Sequence, residues 1–235
     1  MKLLAKDIKK VMLGICLSDA SISETGRFDF YSKNEEYAKY VFNVISEITG
    51  TRPKYYVKYD KRGYTGYRVT APAHVYLKKL REKVYDGRKE LNKYTVSRIN
   101  DEALAHIWMC DGYLEHAKNR AINRVQNIGW LCFEAFPDVE LKILQEHLQN
   151  TWGISSSLVS KPWGFGYRVR IGGSSLQKLI SVVYPYILDC FKYKTPLFYR
   201  KKESADMSLP SAEQFVFEYE TVEDIVRHST KVEKT

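Results

Sequence analysis

The chain contains two stretches of nine residues with one pattern, MLGICLSDA at residues 12–20 and LAHIWMCDG at residues 104–112. Each is an almost uninterrupted apolar run that ends in an aspartate and a small residue, Asp19-Ala20 and Asp111-Gly112. An apolar run without a polar face is typical of a helix that is buried on all sides. Two such helices in one chain indicate that the fold is built twice.

The segments around these two stretches repeat in the same order. The tetrapeptide Gly-Tyr-Arg-Val occurs at residues 66–69 and again at residues 166–169. An amphipathic run, a glycine and a strand-like segment precede each copy, and a second amphipathic run follows it. Because strand-like hairpins also follow each apolar helix, both halves read αββαββα, which predicts an α+β fold. We expect the first half at residues 1–88, a polar linker at residues 89–100 and the second half at residues 101–202. An extension outside the repeat follows at residues 203–235.

The charge is distributed unevenly along the chain. The 37 Lys and Arg residues exceed the 28 Asp and Glu residues by nine. Residues 203–235 hold eight acidic and three basic residues, so residues 1–202 hold 34 basic and 20 acidic ones. A basic body with tyrosines among its cations is typical of a protein that binds nucleic acid. A basic protein without such a partner is the alternative.

Cysteine usage and hydropathy exclude several classes of protein. The four cysteines have no C-x-x-C spacing and lie in apolar surroundings, which indicates buried thiols in a reducing compartment and excludes a zinc module or a disulfide scaffold. No run reaches the roughly 18 apolar residues of a membrane helix, and charges appear too early for a signal peptide. We therefore expect an intracellular protein without a membrane partner, and the composition favours a phage or bacterial origin over an organelle.

Asp19 and Asp111 stand where a carboxylate is unfavourable. The C-terminal end of a helix carries a partial negative charge that disfavours an aspartate by up to roughly 1 kcal/mol. Gly14 and Ser18, four residues apart, form a small-residue seam through which the two apolar helices can pack closely. That packing would bring two like charges together, and a divalent cation such as Mg²⁺ or Mn²⁺ would offset their repulsion. Alternatively, each aspartate merely caps the turn that follows.

The paired stretches resemble the two signature helices of single-chain LAGLIDADG homing endonucleases. The matching positions are Gly14, Asp19 and Ala20 in the first copy and Ala105, Asp111 and Gly112 in the second. At the motif glycine of the second copy this chain has His106. We therefore expect a less close seam there, with His106 packed as a hydrogen-bonded residue and not acting as a base.

This resemblance implies a fold and a reaction. The fold would place two saddle-shaped antiparallel sheets on double-stranded DNA, with the motif helices at a pseudo-twofold interface. The reaction would be metal-dependent hydrolysis of both strands of a long asymmetric target by a monomer, leaving short 3′ overhangs. Mg²⁺ or Mn²⁺ would support cleavage, whereas Ca²⁺ would bind without supporting it.

The resemblance also assigns the site residues. The implied catalytic residues are Asp19, Asp111, Lys89 and Lys194, and the implied metal-binding residues are Asp19, Asp111, Ala20 and Gly112. Lys194 lies in a Tyr-Lys-Thr-Pro element at residues 193–196, but its first-half counterpart lacks the proline, so either Arg88 or Lys89 could be the equivalent. Surface lysines are the alternative for both.

A second pair of acids comes from aligning FDFY at residues 28–31 with FEAF at residues 133–136. This alignment places Asp29 and Glu134 at matching strand positions. In the family, a polar residue there commonly contacts a catalytic water, which makes the two acids candidates for positioning water. Solvated acids on the surface of a strand are the alternative.

Alternating side chains of the two sheets are the expected DNA contacts, because strands can enter the major groove. Arginine and glutamine can read bases, whereas lysines mostly contact phosphate. The candidates are Arg27, Lys33, Lys54, Lys58, Lys61, Arg62, Tyr64 and Arg68 in the first half, and Lys118, Arg120, Arg124, Gln126, Asn127, Lys161, Trp163, Arg168 and Arg170 in the second.

Two other functions fit the same scaffold. An intron RNA maturase would use the basic sheets on RNA, and a catalytically inactive regulator would bind DNA without cutting it. Retention of both aspartates argues against the regulator, since a pure binder gains nothing from two acids that repel each other. The extension at residues 203–235 is acidic but contains many apolar residues, so we expect it to pack on the body as a helix without contacting DNA.

Overall fold

The computed structural model describes residues 5–59, 63–119, 124–161, 166–195, 199–200 and 218–219. The elements of the first half are α1 (Ala5–Leu17), β1 (Ser21–Ile22), β2 (Phe28–Ser32), α2 (Glu35–Thr49), β3 (Lys54–Tyr59), β4 (Thr65–Ala71) and α3 (Val75–Val84). Those of the second half are α5 (Asp101–Asp111), β7 (Gly112–Asn119), β8 (Arg124–Leu131), α6 (Asp138–Trp152), β9 (Ser157–Ser160), β10 (Tyr167–Gly172) and α7 (Gly173–Val183). The predicted αββαββα order is confirmed in both halves.

Short elements connect and follow the two halves. Between them lie β5 (Tyr85–Asp86), β6 (Arg88–Lys89) and α4 (Lys93–Val96). After α7 come two 3₁₀ turns (Tyr184–Tyr186 and Asp189–Lys194), β11 (Tyr199–Arg200) and β12 (Glu218–Tyr219). The expected polar linker is more than a tether, because the apolar side chains of Leu91, Val96 and Ile99 are buried in the core.

Each half contains a four-stranded antiparallel sheet, and the two sheets have equivalent strand orders. The orders are β1-β2-β4-β3 in the first half and β7-β8-β10-β9 in the second. In the first sheet Phe28, Phe30 and Val69 are buried, so their face of the sheet lies toward the core. Because side chains alternate along a strand, the residues between them lie on the opposite, exposed face.

The two motif helices pack directly on each other at the centre of the core. Nearly every residue of α1 from Val11 onward is buried, as are residues 103–109 of α5. Gly14 sits at the closest approach, because a Cβ atom built there would overlap the Ala103 carbonyl oxygen and lie 2.9 Å from the His106 Cβ. The predicted close seam at Gly14 is confirmed, and the His106 side chain occupies its other side.

Only two residues of the extension are described. Glu218–Tyr219 forms β12, which pairs with β11 so that Tyr219 lies opposite Tyr199. These two residues are therefore in a strand and not in the expected helix. The rest of that expectation lies outside the described residues. Among the helices described here, none is long and apolar enough to cross a membrane.

Candidate active site

The two aspartates lie at the C-terminal ends of the packed helices. Helix α1 ends at Leu17, and Asp19 follows within a turn closed by the Ala20 amide, which donates to the Ile15 carbonyl at 3.1 Å. Asp111 is the last residue of α5, and its carbonyl accepts from the Cys132 amide at 2.9 Å. Asp19 is exposed and Asp111 is partly buried. The seam therefore places one acid from each half at a common opening.

The electrostatics of these acids show that they lie close together. Burial, followed by the nearby Asp19 carboxylate, raises the pKa of Asp111 to about 7. The dense protein around Asp19 also raises the pKa of that carboxyl group, although its side chain reaches solvent. The Asp111 carboxyl group therefore lies within range of the charge on Asp19.

A lysine accompanies each aspartate. Lys89 Nζ donates to the carbonyl of Ser18, one residue before Asp19. Lys194 Nζ donates to the carbonyl of Met109 at 2.6 Å and lies 3.5 Å from that of Cys110, one residue before Asp111. Each ammonium group thus satisfies carbonyls that the end of a motif helix leaves without a partner.

The lysines are held in a low-dielectric environment by neighbouring elements. Burial lowers the pKa of both Lys89 and Lys194, while the two aspartates act in the opposite direction. The Trp108 indole donates to the Lys194 carbonyl at 3.1 Å and so fixes that backbone against α5. Arg88 instead forms an ion pair with Glu140 of α6. Arg88 lines the same pocket as Asp111, but Lys89 is the one of the two whose charge acts on the pKa of both aspartates.

A pocket of about 290 Å³ opens beside Asp111. Its polar lining includes Ser18, Lys89 and Asp111, and its apolar lining includes Phe133 and Phe136. The buried Ser18 hydroxyl makes no hydrogen bond among the described residues, but it lies near enough to the Asp111 carboxyl group to lower the pKa of that group. A buried polar atom without a partner, next to a carboxylate and an ammonium group, is suited to a polar ligand.

The donor set fits a hard divalent cation that is shared with a substrate. Among the described residues, no group of three or more His, Cys, Asp or Glu side chains could hold a metal ion. The protein would therefore supply the Asp19 and Asp111 carboxylates, and the other ligands would come from backbone carbonyls, phosphate and water. Mg²⁺ is commonly bound in this way, through one or two carboxylates and substrate phosphates.

Asp29 and Glu134 each bind the arginine of the repeated tetrapeptide. Arg68 donates through Nε to Asp29 at 2.9 Å and through Nη2 to the same carboxylate. Arg168 donates through Nε to Glu134, which also lies 3.4 Å from Lys161 Nζ. Both acids are therefore paired with cations, and neither is a simple solvated carboxylate.

The alignment that matched these two acids is wrong. Phe30 lies opposite Val69 in the first sheet, and Leu131 lies opposite the equivalent Val169 in the second. By this register Asp29 corresponds to Trp130, and Glu134 corresponds to Lys33. The sequence alignment matched the aromatic residues of FDFY and FEAF. The strand register differs from it because the β1–β2 hairpin of the first half is shorter than the β7–β8 hairpin of the second.

The exposed face of the first sheet collects several of the expected DNA contacts. Lys54, Lys58 and Arg68 share this face, and Arg68 lies in one row between Tyr31 and Tyr56. The two tyrosines, 44% and 42% exposed, were missed as candidates, although alternation with the buried Phe30 could have identified Tyr31. The loop candidates Arg27, Lys33 and Tyr64 are exposed, and Lys61 and Arg62 lie outside the described residues.

The second sheet presents a different set of side chains. Arg168 and Arg170 lie on its exposed face, where Arg170 shares a row with Tyr113 and Trp130, both of which were missed. The Trp130 indole donates to Glu115 at 2.7 Å. Asn127 contacts His116 at 2.7 Å. Of the remaining candidates, Lys118, Arg124 and Gln126 lie in β7 and β8, and Arg120 and Trp163 fall outside the described residues.

Fold and site together define a class of protein: two αββαββα units joined through their first helices, with paired carboxylates and paired lysines at the junction. The model of the LAGLIDADG DNA endonuclease family matches residues 9–179, and the chain belongs to this family. The resemblance noted from the two apolar stretches is thereby confirmed.

Solved structures with the same fold include two informative matches. The homing endonuclease I-WcaI, bound to its DNA recognition sequence, is 21% identical with a TM-score of 0.70, and the match covers 83% of this chain and 88% of that one. Full-length DUF199/WhiA from Thermatoga maritima is 8% identical with a TM-score of 0.51, and the match covers 82% of this chain and 60% of that one.

Proposed function

We propose that the protein is a site-specific DNA endonuclease that acts as a monomer inside the cell and hydrolyses both strands of a long asymmetric duplex with a divalent metal. The observation that carries this proposal is the pair of interacting carboxylates, Asp19 and Asp111, flanked by Lys89 and Lys194 at the end of the seam between α1 and α5. A protein that only binds DNA has no use for two acids that repel each other and the phosphate backbone. The solved relative with a DNA recognition sequence supports duplex DNA as the substrate.

The exposed faces of the two sheets are suited to reading the duplex. Strands place alternate side chains in the major groove, where arginine can donate two hydrogen bonds to guanine and lysine can neutralise phosphate. The first face carries Lys54, Lys58 and Arg68, and the second carries Arg168 and Arg170. Since the two faces differ in composition, the two half-sites of the target are expected to differ in sequence.

The reaction requires a water molecule that is activated for attack and a phosphate whose growing charge is stabilised. A divalent ion supplies Lewis acidity and a more acidic bound water when it is present. Asp19 and Asp111 would hold it, with Ala20 and Gly112 beside them. Lys89 and Lys194, whose pKa values burial lowers, would donate hydrogen bonds to the charge that develops on the phosphate oxygens.

The expected roles of Asp29 and Glu134 as positioners of water stay predictions, and their contacts add a second role. Each acid orients an arginine on the exposed face of its sheet. In Arg68 the bonds to Asp29 use Nε and Nη2, so Nη1 and the second hydrogen of Nη2 stay directed away from the acid. That edge of the guanidinium keeps two N–H groups that can donate to guanine.

A selection from random DNA tests the proposal. The protein is mixed with a library of random duplexes in Ca²⁺, bound duplexes are enriched and sequenced, and the enriched duplex is incubated with Mg²⁺ or with EDTA. We expect one long asymmetric consensus and Mg²⁺-dependent cleavage of both strands with short 3′ overhangs. Enrichment without cleavage would indicate an inactive regulator, and selection of structured RNA over DNA in a parallel library would indicate a maturase.

A further inference from the structure

A buried chain of polar side chains crosses the seam, and the proposed reaction makes no use of it. His106 Nδ1 lies 3.0 Å from Tyr37 Oη, and His106 Nε2 lies 3.4 Å from Tyr40 Oη. The imidazole also stacks on both tyrosine rings, with centroids 5.8 Å and 5.3 Å away. Both ring nitrogens therefore have a partner in a fully packed environment.

The chain continues from Tyr37 to the active site. Tyr37 Oη lies 3.3 Å from Cys110 Sγ, and the Cys110 thiol and the Asp19 carboxyl group lie close enough for each to affect the pKa of the other. Tyr37 and Tyr40 belong to α2 of the first half, whereas His106 and Cys110 belong to α5 of the second. This series of side chains thus alternates between the two halves and ends at Asp19.

One set of donor and acceptor roles satisfies the whole chain when Asp19 is ionised. In this set the Cys110 thiol points its hydrogen toward the Asp19 carboxylate, which can only accept, and accepts from the Tyr37 hydroxyl. Tyr37 Oη then accepts from the His106 Nδ1–H, which leaves Nε2 to accept from Tyr40. This assignment requires a neutral imidazole, and burial lowers the pKa of His106 to about 3.

We propose that Tyr37 and His106 are positioning residues, which orient the Asp19 carboxylate relative to Asp111 through Cys110. The inference rests on the proposed function, because it gives the orientation of Asp19 a catalytic consequence. Displacing a reacting group by about 1 Å can cost on the order of a hundredfold in rate, so a bond two residues removed from the metal site can matter.

Tyr37→Phe tests this proposal, with Tyr55→Phe as a matched control. The control makes the same chemical change in the same half, but the Tyr55 hydroxyl is buried without a hydrogen-bond partner in the described structure. With saturating Mg²⁺ and the enriched duplex, we expect Tyr37→Phe to lower the single-turnover rate about tenfold or more and to leave the DNA dissociation constant unchanged. Tyr55→Phe should change neither quantity.

A double-mutant cycle separates positioning from simple stabilisation. If Tyr37 acts through Cys110, adding Tyr37→Phe to Cys110→Ala should not slow cleavage further. Additive losses would overturn the proposal, as would a lower Tm for Tyr37→Phe with a wild-type cleavage rate.

A spectroscopic readout does not depend on cleavage. The ¹³C resonance of the Asp19 carboxylate, identified by its loss in Asp19→Asn, is recorded in the metal-free protein. It should shift in Tyr37→Phe and not in Tyr55→Phe. An unchanged resonance in Tyr37→Phe would refute the contact. A shifted resonance in a protein that cuts no duplex would preserve the contact and reject the proposed function instead.

Discussion

Asp19 and Asp111 combine an expected catalytic role with an unfavourable position. Each lies at the negative end of a helix, and the charge on Asp19 raises the pKa of Asp111. Replacement of either by asparagine preserves the shape of the side chain but removes the charge that would hold a divalent ion. We expect Asp19→Asn and Asp111→Asn to reduce cleavage by orders of magnitude while DNA binding persists, as measured by strand-resolved cleavage and by gel shift.

The result for each strand carries further information. Loss on one strand would indicate separate metal sites, and loss on both would indicate a shared site. Wild-type cutting of both strands by each variant would show that these aspartates are not the catalytic acids.

Asp111 should also make stability depend on pH in the absence of metal. The folded protein raises the pKa of this carboxyl group from 3.8 to about 7, so the protonated form favours folding. That stabilisation is complete below about pH 4 and is lost as the pH rises through 7. We therefore expect Asp111→Asn to have a higher Tm than the wild type at pH 8 in EDTA, with the difference vanishing near pH 4.

Asp86→Asn is the control for this titration, because it removes an exposed carboxylate that is not among the groups acting on the pKa of Asp111. It should not reproduce the pH-dependent difference. A Tm difference for Asp111→Asn that is constant from pH 4 to pH 8 would contradict the perturbed titration of Asp111.

The pairing of Asp29 with Arg68 predicts an effect on specificity. Without the carboxylate, the guanidinium keeps its charge but loses the partner that fixes its orientation. In the library selection, Asp29→Asn should relax the base preference at one position of the consensus and leave the others unchanged. Glu24→Gln removes one acidic charge from the same half without contact to Arg68 and should leave the consensus intact. A slower reaction with an unchanged consensus would favour the water-positioning role of Asp29.

At the level of elements, the contact between α1 and α5 depends on one glycine. A methyl group at Gly14 would overlap the Ala103 carbonyl, and because both helices are buried they would have to separate. Overpacking of this kind costs about 1–3 kcal/mol, so we expect Gly14→Ala to lower the free energy of unfolding in urea by that amount. Cleavage should fall as well, because the aspartates would move apart.

Gly172→Ala is the control for Gly14→Ala, because a Cβ atom added at Gly172 would have no close neighbour. Its nearest side-chain atom would be 3.8 Å from the new Cβ, and its φ of −134° suits any residue. This variant should lose less than about 1 kcal/mol of stability. Equal losses at Gly14 and Gly172 would argue against close packing at the seam.

The elements that could be predicted from the sequence are those with local signals. The apolar runs that end at Asp19 and Asp111 and the repeated Gly-Tyr-Arg-Val segments led to the motif helices, both αββαββα units and the seam at Gly14. Strand register could not be obtained in this way, because β1 has two residues and β7 has eight, so equivalent strand positions lie at different distances from the motif in the two halves. The choice between Arg88 and Lys89 likewise depended on a tertiary contact, the ion pair to Glu140.

For the whole molecule, two complete units in one chain predict a monomer. The seam between α1 and α5 already occupies the surface that would otherwise join two copies. We expect light scattering to give a mass near 27.4 kDa in the absence of DNA. The selected target should be asymmetric, because the exposed faces of the two sheets carry different residues. A homodimer on a palindromic target would contradict this expectation.

The contacts of Tyr37 restrict how this protein could be recombined with relatives half by half. Its hydroxyl reaches His106 and Cys110, and its ring packs edge-on against Phe191 with centroids 5.2 Å apart, so one first-half residue has three second-half partners. A chimera that fuses the first half of this chain to the second half of a relative would separate Tyr37 from all of them. Hybrids built to recombine half-site preferences should therefore carry Tyr37, His106, Cys110 and Phe191 as one transplanted set, even though none of the four lies on a strand of either sheet.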